Sequence, residues 1–319
     1  MVATAPNTAP VTPPSSPDLT SRLVNGLLSI KPLATFMKSR ARAMMVDRAE
    51  EIGVPWRQRV AELRSRQSAQ DFDPTWDAEL AVVTNPELVY PAYYTTSFHA
   101  YEEGNLGWLP AMEVEVASRA VHAKIWPEAG AEGDAWLRQS YHAVLTERLP
   151  EAPRQIADLG CGAGLSTVAL QHTFPGATVT GVDLSPYFLA IARYRQGEEN
   201  QRWVHAAAEN TGLPAGSMDL VSACLMFHEL PQTAAIAILH EARRLLKPGG
   251  HFTIMDMNPH SEVMQKLPPF VFTLLKSTEP YLDQYFGLDF ATELQAAGFD
   301  APQVQFNSPR HRTLITQVR

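Results

Sequence analysis

Two hydrophobic patterns alternate along the second half of the chain. Short, almost continuous apolar runs are separated by longer segments whose apolar residues recur at helical spacing. Continuous apolar runs are typical of strands buried on both faces, and their alternation with helices is typical of a parallel sheet covered by helices. The segments in which we predict strands are residues 155–160, 177–183, 203–208, 218–225, 251–257, 303–307 and 312–318, of which the last two are more polar than the others. We therefore predict an α/β fold with a seven-stranded, doubly wound sheet whose last two strands form an antiparallel pair.

The first half of the chain lacks this alternation. Residues 1–18 are rich in Pro, Ser, Thr and Ala, a composition typical of a disordered leader. Residues 19–68 have apolar positions at helical spacing, and residues 110–149 are typical of two helices, so we predict a helical N-terminal region, residues 19–133, that covers a sheet domain of residues 134–319. Between residues 90 and 108 this region holds many aromatic side chains with short polar groups among them. Such a run either lines a substrate cleft or packs beneath a loop.

Charge and cysteine content narrow the class of protein. The 319 residues carry 34 acidic and 26 basic side chains, a formal net charge of −8, which argues against a nucleic-acid partner. Two cysteines, Cys161 and Cys224, argue against a disulfide framework. No secretory signal or bilayer-spanning apolar run is evident, so we expect a cytoplasmic protein. Basic, amphipathic sequence within residues 19–68 leaves peripheral membrane contact as an alternative to ordinary packing.

The most informative motif joins the first predicted strand to the next helix. It reads Asp-Leu-Gly-Cys-Gly-Ala-Gly over residues 158–164. Glycines at such a turn let the backbone approach a ligand closely, and the following helix directs its N–H groups at that ligand. Asp183 ends the second predicted strand, where an acidic residue can bind ribose hydroxyls. The G-x-G-x-G spacing departs from the G-x-G-x-x-G fingerprint, which argues against NAD.

This motif, followed by Val-Asp-Leu-Ser-Pro at residues 182–186, resembles the class I S-adenosylmethionine (SAM) methyltransferases, whose sheet is Rossmann-like. The resemblance covers residues 134–319, and Glu-Ala-Arg-Arg-Leu-Leu-Lys-Pro-Gly-Gly at residues 241–250 is similar to the branch with quinone and sterol methyltransferases. It implies SAM as cofactor, S-adenosylhomocysteine as product and no metal. The positions that it implies for cofactor binding are Asp158, Gly160, Cys161, Gly162, Gly164, Asp183, Leu184, Ala208, Glu209 and Asn210.

The turn after the third predicted strand departs from the family pattern, and Asp158 has two possible roles. The family often reads Asp-Ala-Glu-x-Leu-Pro after its third strand, whereas this chain has Ala207 at the Asp position and two added residues before Leu-Pro. We therefore expect adenine recognition to pass to the Ala208 backbone and to Glu209 or Asn210. The resemblance implies that Asp158 lies near the amino group of SAM, although a strand-end acid can also cap the loop.

The acceptor site is expected where the fourth predicted strand ends, because ligands of doubly wound sheets bind at carboxyl ends where the strand order reverses. His228 and Glu229 follow that strand, and with His99 they are our candidates for catalytic residues. An imidazole titrates near neutrality and can remove a proton. We expect His228 to line the acceptor wall and to act as a base only if the acceptor is protonated. Alternatively, Glu229 caps the next helix and His228 contacts the cofactor or the N-terminal cover.

The predicted covering segments, residues 19–130 and 258–290, are rich in apolar and aromatic side chains, which favours a small lipophilic or aromatic acceptor over a sugar or nucleotide. The residues that we expect to line its site are Tyr94, Tyr101, Asn105, Trp108, Tyr281 and Tyr285. The sequence thus predicts a SAM-dependent methyltransferase acting on carbon or oxygen of a small molecule. The alternatives are a methyltransferase of protein or nucleic acid, and a protein that binds SAM without catalysis.

Overall fold

The computed structural model describes residues 8–11, 31–66, 68–97, 99, 101–195 and 200–319, so most of the predicted leader lies outside the described residues. The strands are β1 (Gln155–Leu159), β2 (Thr178–Asp183), β3 (Gln201–His205), β4 (Met218–Cys224), β5 (Leu246–Met257), β6 (Gln303–Phe306) and β7 (His311–Gln317). They form one sheet of order β3-β2-β1-β4-β5-β7-β6. β7 is antiparallel to β5 and β6, and the other pairs are parallel. The prediction of a seven-stranded sheet with an antiparallel end is confirmed.

One strand is displaced from its predicted position. β3 spans Gln201–His205, whereas the apolar pattern places it at residues 203–208. The strand ends early because the chain turns after His205, where Ala207 and Asn210 form an isolated bridge. This turn carries Ala208 and Glu209 to the edge of the sheet instead of leaving them within it.

The strand order reverses at β1, which pairs with β2 on one side and β4 on the other. At such a point the crossover connections leave in opposite directions, and the carboxyl ends of the two central strands border a crevice. The glycine loop after β1 and the residues after β4 therefore meet at the same edge. This topology brings together the two segments that sequence analysis assigns to cofactor and acceptor.

Helices cover both faces of the sheet. They are α1 (Lys31–Glu51), α2 (Trp56–Ser65), α3 (Thr75–Val83), α4 (Trp108–His122), α5 (Gly133–Arg148), α6 (Leu165–Thr173), α7 (Pro186–Tyr194), α8 (Gln232–Leu245), α9 (Glu262–Gln265), α10 (Pro269–Thr278), α11 (Leu282–Phe286) and α12 (Phe290–Ala296). The larger core includes apolar residues of β4, β5, α8 and α12, and a second cluster joins α5 and α6 to the strands. Among the described residues, none of these helices combines the length and apolar character needed to cross a membrane.

The N-terminal helices have their own apolar cluster, which docks on α7. Trp76 of α3 is fully buried, and its ring centroid lies 5.0 Å from that of Tyr194. Trp108 packs edge-on against Tyr187 at 5.1 Å. Burial of one large apolar side chain contributes about 1.5–3 kcal/mol, so these contacts hold the helical region firmly against the sheet domain.

Residues 8–11 of the predicted leader lie against the segment that follows β5. The Val11 N–H donates to the Phe286 carbonyl at 2.8 Å, and the Ala9 carbonyl lies 2.9 Å from His260 Nε2. The expectation of disorder for the remainder of residues 1–18 stays a prediction, since that part lies outside the described residues.

Candidate cofactor and acceptor site

The glycine loop leaves an open surface between β1 and α6. Gly160 and Gly162 have φ of 66° and 53°, in the left-handed region that favours glycine. A Cβ on Gly160 would lie 2.5 Å from Sδ of Met226, whereas the nearest atom to a Cβ on Gly162 would be 3.9 Å away. The backbone at Gly162 is therefore open to a ligand, beside the N-terminus of α6, which attracts carboxylates. This geometry fits the methionine part of SAM.

Asp158 lies beneath this loop and is fully buried. Its Oδ2 accepts hydrogen bonds from Ser166 Oγ at 2.6 Å and Thr167 Oγ1 at 2.7 Å. Its Oδ1 has no partner among the described residues, and burial raises the pKa of the carboxyl to about 6 despite those two donors. A buried acceptor without a donor is costly, and the SAM ammonium group would satisfy it.

Asp183 links the end of β2 to the glycine loop. Its Oδ2 accepts from the Gly162 N–H and its Oδ1 from the Ser185 N–H, both at 2.8 Å. Ser185 caps α7 itself, with its Oγ accepting from the Phe188 N–H, so Asp183 is not needed as the helix cap. Oδ1 also has Tyr94 Oη at 3.5 Å, whereas Oδ2 keeps a second lone pair, which leaves capacity for a ribose hydroxyl.

The expected adenine end lies after β3. Glu209 accepts from Tyr93 Oη at 2.8 and 2.9 Å, one distance for each carboxylate oxygen. Ala208 is buried beside it, and the Asn210 N–H donates to the Ala207 carbonyl. Tyr93 is a contact that sequence analysis missed. Its proximity to Glu209 could not be read from the sequence because the two residues are far apart along the chain.

The aromatic segment (residues 85–97, 99 and 101–108) crosses the carboxyl ends of the strands. Its Asn85 N–H donates to His205 Nδ1 at 2.9 Å, and Tyr94 Oη lies 3.5 Å from Asp183 Oδ1. Farther along, the Asn105 carbonyl accepts from Ser185 Oγ at 2.6 Å. The Asn105 side chain is buried, with an Oδ1 that has no partner within the described residues. The segment therefore lies over the residues expected to bind adenosine.

The same segment reaches the candidates for acceptor chemistry. His99 Nε2 lies 3.2 Å from Glu229 Oε1 and 3.0 Å from Glu279 Oε1. Burial lowers the pKa of His99, but Glu279 and Glu229 outweigh it and hold that pKa well above its ordinary value. The structure thus brings His99 and Glu229 together and adds Glu279. One nitrogen of His99 and one carboxylate oxygen each of Glu229 and Glu279 lie within 4.8 Å of one another, close enough to bind a metal ion. The two ion pairs explain this arrangement without a metal.

His228 and Glu229 lie on a 3₁₀ turn, Phe227–Glu229, directly after β4. Glu229 does not cap the next helix: its carboxylate is paired with His99, and the first N–H of α8 donates to Gln284 Oε1 at 3.0 Å. His228 Nδ1 lies 2.8 Å from Oδ1 of Asp256. Asp256 is almost completely buried and lies at the carboxyl end of β5. Sequence analysis missed Asp256. Its position in the predicted fifth strand, adjacent to the fourth, was the one available signal.

Three residues expected to line the acceptor site are engaged elsewhere. Tyr285 lies in the core, 2% exposed, with its hydroxyl donating to the Met257 carbonyl. Trp108 packs among Phe72, Trp76 and Tyr187 in the N-terminal cluster. Tyr101 donates to Glu113 Oε2 at 2.6 Å. These placements correct the expectation, since apolar packing and a buried carboxylate hold the three rings.

Tyr281 keeps a more open position, half-buried before α11. Leu184 is buried after β2, and its carbonyl lies 3.0 Å from His205 Nε2. Cys161 is buried in the loop, and burial raises the pKa of its thiol well above the ordinary value. That cysteine therefore fills space in the loop as a neutral thiol.

The sheet order, the open glycine loop and the acids after β1 and β2 together define a SAM-dependent methyltransferase of class I. Residues 157–254 match the sequence profile of a family described as "Methyltransferase domain". An uncharacterized methyltransferase of Synechocystis sp. (strain PCC 6803) is 33% identical over 162 residues, which cover 50% of this chain and 74% of the relative. The chain belongs to the methyltransferase family, and its cofactor is SAM.

Two further proteins show how much of the chain is similar to known methyltransferases. A ubiquinone biosynthesis O-methyltransferase of Thiobacillus denitrificans is 27% identical over 164 residues, covering 49% of this chain and 69% of that protein. A crystal structure from Nostoc punctiforme, provisionally assigned as an O-methyltransferase, aligns with a TM-score of 0.52 at 15% identity over 81% of this chain and 70% of that one. This likeness concerns the fold, and it extends beyond the sheet domain.

Proposed function

We propose that this enzyme transfers the methyl group of SAM to an oxygen or acidic carbon of a small, fairly apolar acceptor, with aromatic compounds as the first class to test. The observation that carries this proposal is the position of His228, at the carboxyl end of β4 beside the glycine loop and backed by Asp256. An imidazole held in this way can accept a proton from a hydroxyl or a carbon acid.

Methyl transfer requires no covalent intermediate on the protein. SAM supplies an electrophilic methyl group on a good leaving group. The chain must align the acceptor, exclude water and remove a proton where the acceptor carries one. In the proposed arrangement Asp158 holds the methionine end of the cofactor and Asp183 holds the ribose in its middle, and the aromatic segment covers it. His228 Nε2 receives the acceptor proton.

Apolar side chains on α10, the helix that ends just before Glu279, support the substrate class. Phe270 and Leu274 lie one turn apart on this helix and are 37% and 38% exposed. The name of the relative from Thiobacillus denitrificans also supports a small aromatic acceptor. A lipophilic acceptor could reach the enzyme from a membrane surface, so peripheral contact of a cytoplasmic enzyme with lipid belongs to the same proposal.

A screen for acceptors tests this proposal. Formation of S-adenosylhomocysteine would be measured with a panel of phenols, quinols and fatty acids, and small molecules that co-purify would be identified by mass spectrometry. The matched control is Asp183→Ala, which should lose turnover at low SAM concentration. Methyl transfer confined to protein or nucleic acid would overturn the proposed acceptor class. SAM binding without turnover of any acceptor, including the co-purified compounds, would favour the non-catalytic alternative.

A further inference from the structure

Asp256 makes three contacts with the backbone and side chains at the acceptor end. Its Oδ1 lies 2.8 Å from His228 Nδ1 and accepts from the Met257 N–H at 2.7 Å. Its Oδ2 accepts from the His228 N–H at 3.3 Å. The residue is 1% exposed at the end of β5, so its carboxylate cannot turn toward solvent. A single buried carboxylate thus holds both the backbone and the ring of His228.

This arrangement decides which ring nitrogen of His228 is available. A carboxylate acceptor at Nδ1 keeps a proton on that nitrogen, and the neutral ring then has its lone pair on Nε2. Nε2 has no hydrogen bond to any described residue, and the side chain retains 13% exposure. The free lone pair therefore lies on the nitrogen that is not engaged by the fold.

We propose that Asp256 is a positioning residue for methyl transfer: it fixes the tautomer and orientation of His228 so that Nε2 accepts the proton of the methyl acceptor. This inference rests on the proposed function, since it needs an acceptor that loses a proton. Asp256 itself touches neither cofactor nor acceptor in this arrangement and acts through His228 alone.

The electrostatic setting gives the pair a definite pH response. Burial lowers the pKa of His228, but the Asp256 carboxylate outweighs it and raises that pKa to about 9. Among the described residues, the other titratable or charged groups around the pair are Glu229 on the same turn, Glu279 after α10, Cys224 of β4, His311 of β7, and Tyr285 and Arg312 beside Asp256. The neutral base therefore becomes more abundant as the pH rises toward 9, and kcat/KM should rise with it.

The test compares Asp256→Asn with the unmodified enzyme by NMR titration of His228. An opposite charge at this distance changes a pKa by about 1–3 units, so the pKa of His228 should fall by that amount in the variant. The ring ¹⁵N shifts should also show loss of the single Nδ1–H tautomer. Asp219→Asn is the matched control: Asp219 also accepts two backbone N–H groups, at the amino end of the same sheet. It should leave His228 unchanged.

Kinetics with an identified acceptor supply the second arm. Asp256→Asn should lower kcat by about 10- to 100-fold, less than the 10²–10⁴-fold contribution of a general base because the imidazole itself remains, with KM for SAM unchanged and the acid limb of kcat/KM moved to lower pH. Its effect should not add to that of His228→Gln, because both act on one proton transfer. An unchanged His228 pKa, an unmoved pH profile or additive losses would each overturn the inference. Failure to find any acceptor would refute the proposed function instead, and the NMR arm would still decide the positioning contact.

Discussion

Replacement of Asp183 by alanine is expected to weaken SAM binding by about 10- to 150-fold. In the structure its two carboxylate oxygens hold the N–H groups of Gly162 and Ser185, and Oδ2 keeps a lone pair that we expect to accept a ribose hydroxyl. Hydrogen bonds to a charged acceptor contribute about 1.5–3 kcal/mol, and 1.4 kcal/mol is a tenfold change in a dissociation constant. Isothermal titration calorimetry with SAM and S-adenosylhomocysteine would measure the loss.

The pH dependence of binding gives this prediction a sign. Burial raises the pKa of Asp183 to about 6, so protons begin to compete for the carboxylate near that pH. A protonated carboxyl is a weaker acceptor, and SAM affinity should therefore fall as the pH drops below about 6. Asp158 has a pKa raised to about 6 for the same reason and adds to the fall. In Asp183→Ala the contribution of Asp183 to this fall in SAM affinity should be absent.

A loss of SAM affinity in Asp183→Ala has two possible causes, a less stable fold or a lost contact with the ribose, and a second variant distinguishes them. Asp183→Ala also frees the Gly162 N–H, so the variant should unfold at a lower temperature. Asp219→Ala provides the comparison, because Asp219 ties the backbone of Arg154 and Gln155 to the start of β4. It should lose stability without losing SAM affinity. If folded Asp183→Ala bound SAM as tightly as the unmodified enzyme, the ribose assignment would be wrong.

Three further outcomes are expected. Hydrogen exchange across residues 90–97 and 101–108 should slow when SAM binds, since the segment contacts Asp183 and Glu209; equal exchange would favour simple packing. His228→Ala should lower kcat by about 10²–10⁴-fold if it is the general base, and a change confined to KM would restore the wall-lining role. His99→Gln should speed dissociation of S-adenosylhomocysteine in stopped-flow measurements, because the variant lacks the charge that pairs with Glu229 and Glu279 and so holds the aromatic segment over the site. An unchanged rate would show that His99 does not help to hold the aromatic segment in place.

The centre of the sheet could be predicted because β1, β2 and β4 are buried along almost their whole length and each appears as an apolar run bounded by turn residues. The positions of Asp158 and Asp183 followed directly, since both lie at the carboxyl ends of strands that the pattern located. β3 was misplaced because Ala206, Ala207 and Ala208 continue the apolar run beyond the strand. Small apolar residues fit a buried turn as well as a buried strand, and the pattern alone cannot separate the two.

The acceptor end could be predicted only in part. His228 and Glu229 were located by their place after β4, but their partners come from other segments of the chain. Tyr285 and Trp108 were assigned to the cleft because large aromatic side chains suit apolar ligands and apolar cores equally well. Tertiary packing buries these two rings, and it cannot be read from the spacing of apolar residues along the sequence. Asp256 was missed because a lone acid at the end of a strand carries no motif.

The contacts of the aromatic segment join the two halves of the site. At one end the segment touches Asp183 and Glu209, which face the expected adenosine, and at the other His99 touches Glu229 and Glu279. The His99 N–H also donates to the Thr278 carbonyl, so backbone and side chain both join it to the region after α10. A ligand that orders the segment at either end lowers the entropic cost of ordering it at the other. SAM and acceptor should therefore each raise the affinity for the other by the same factor, because such coupling is reciprocal.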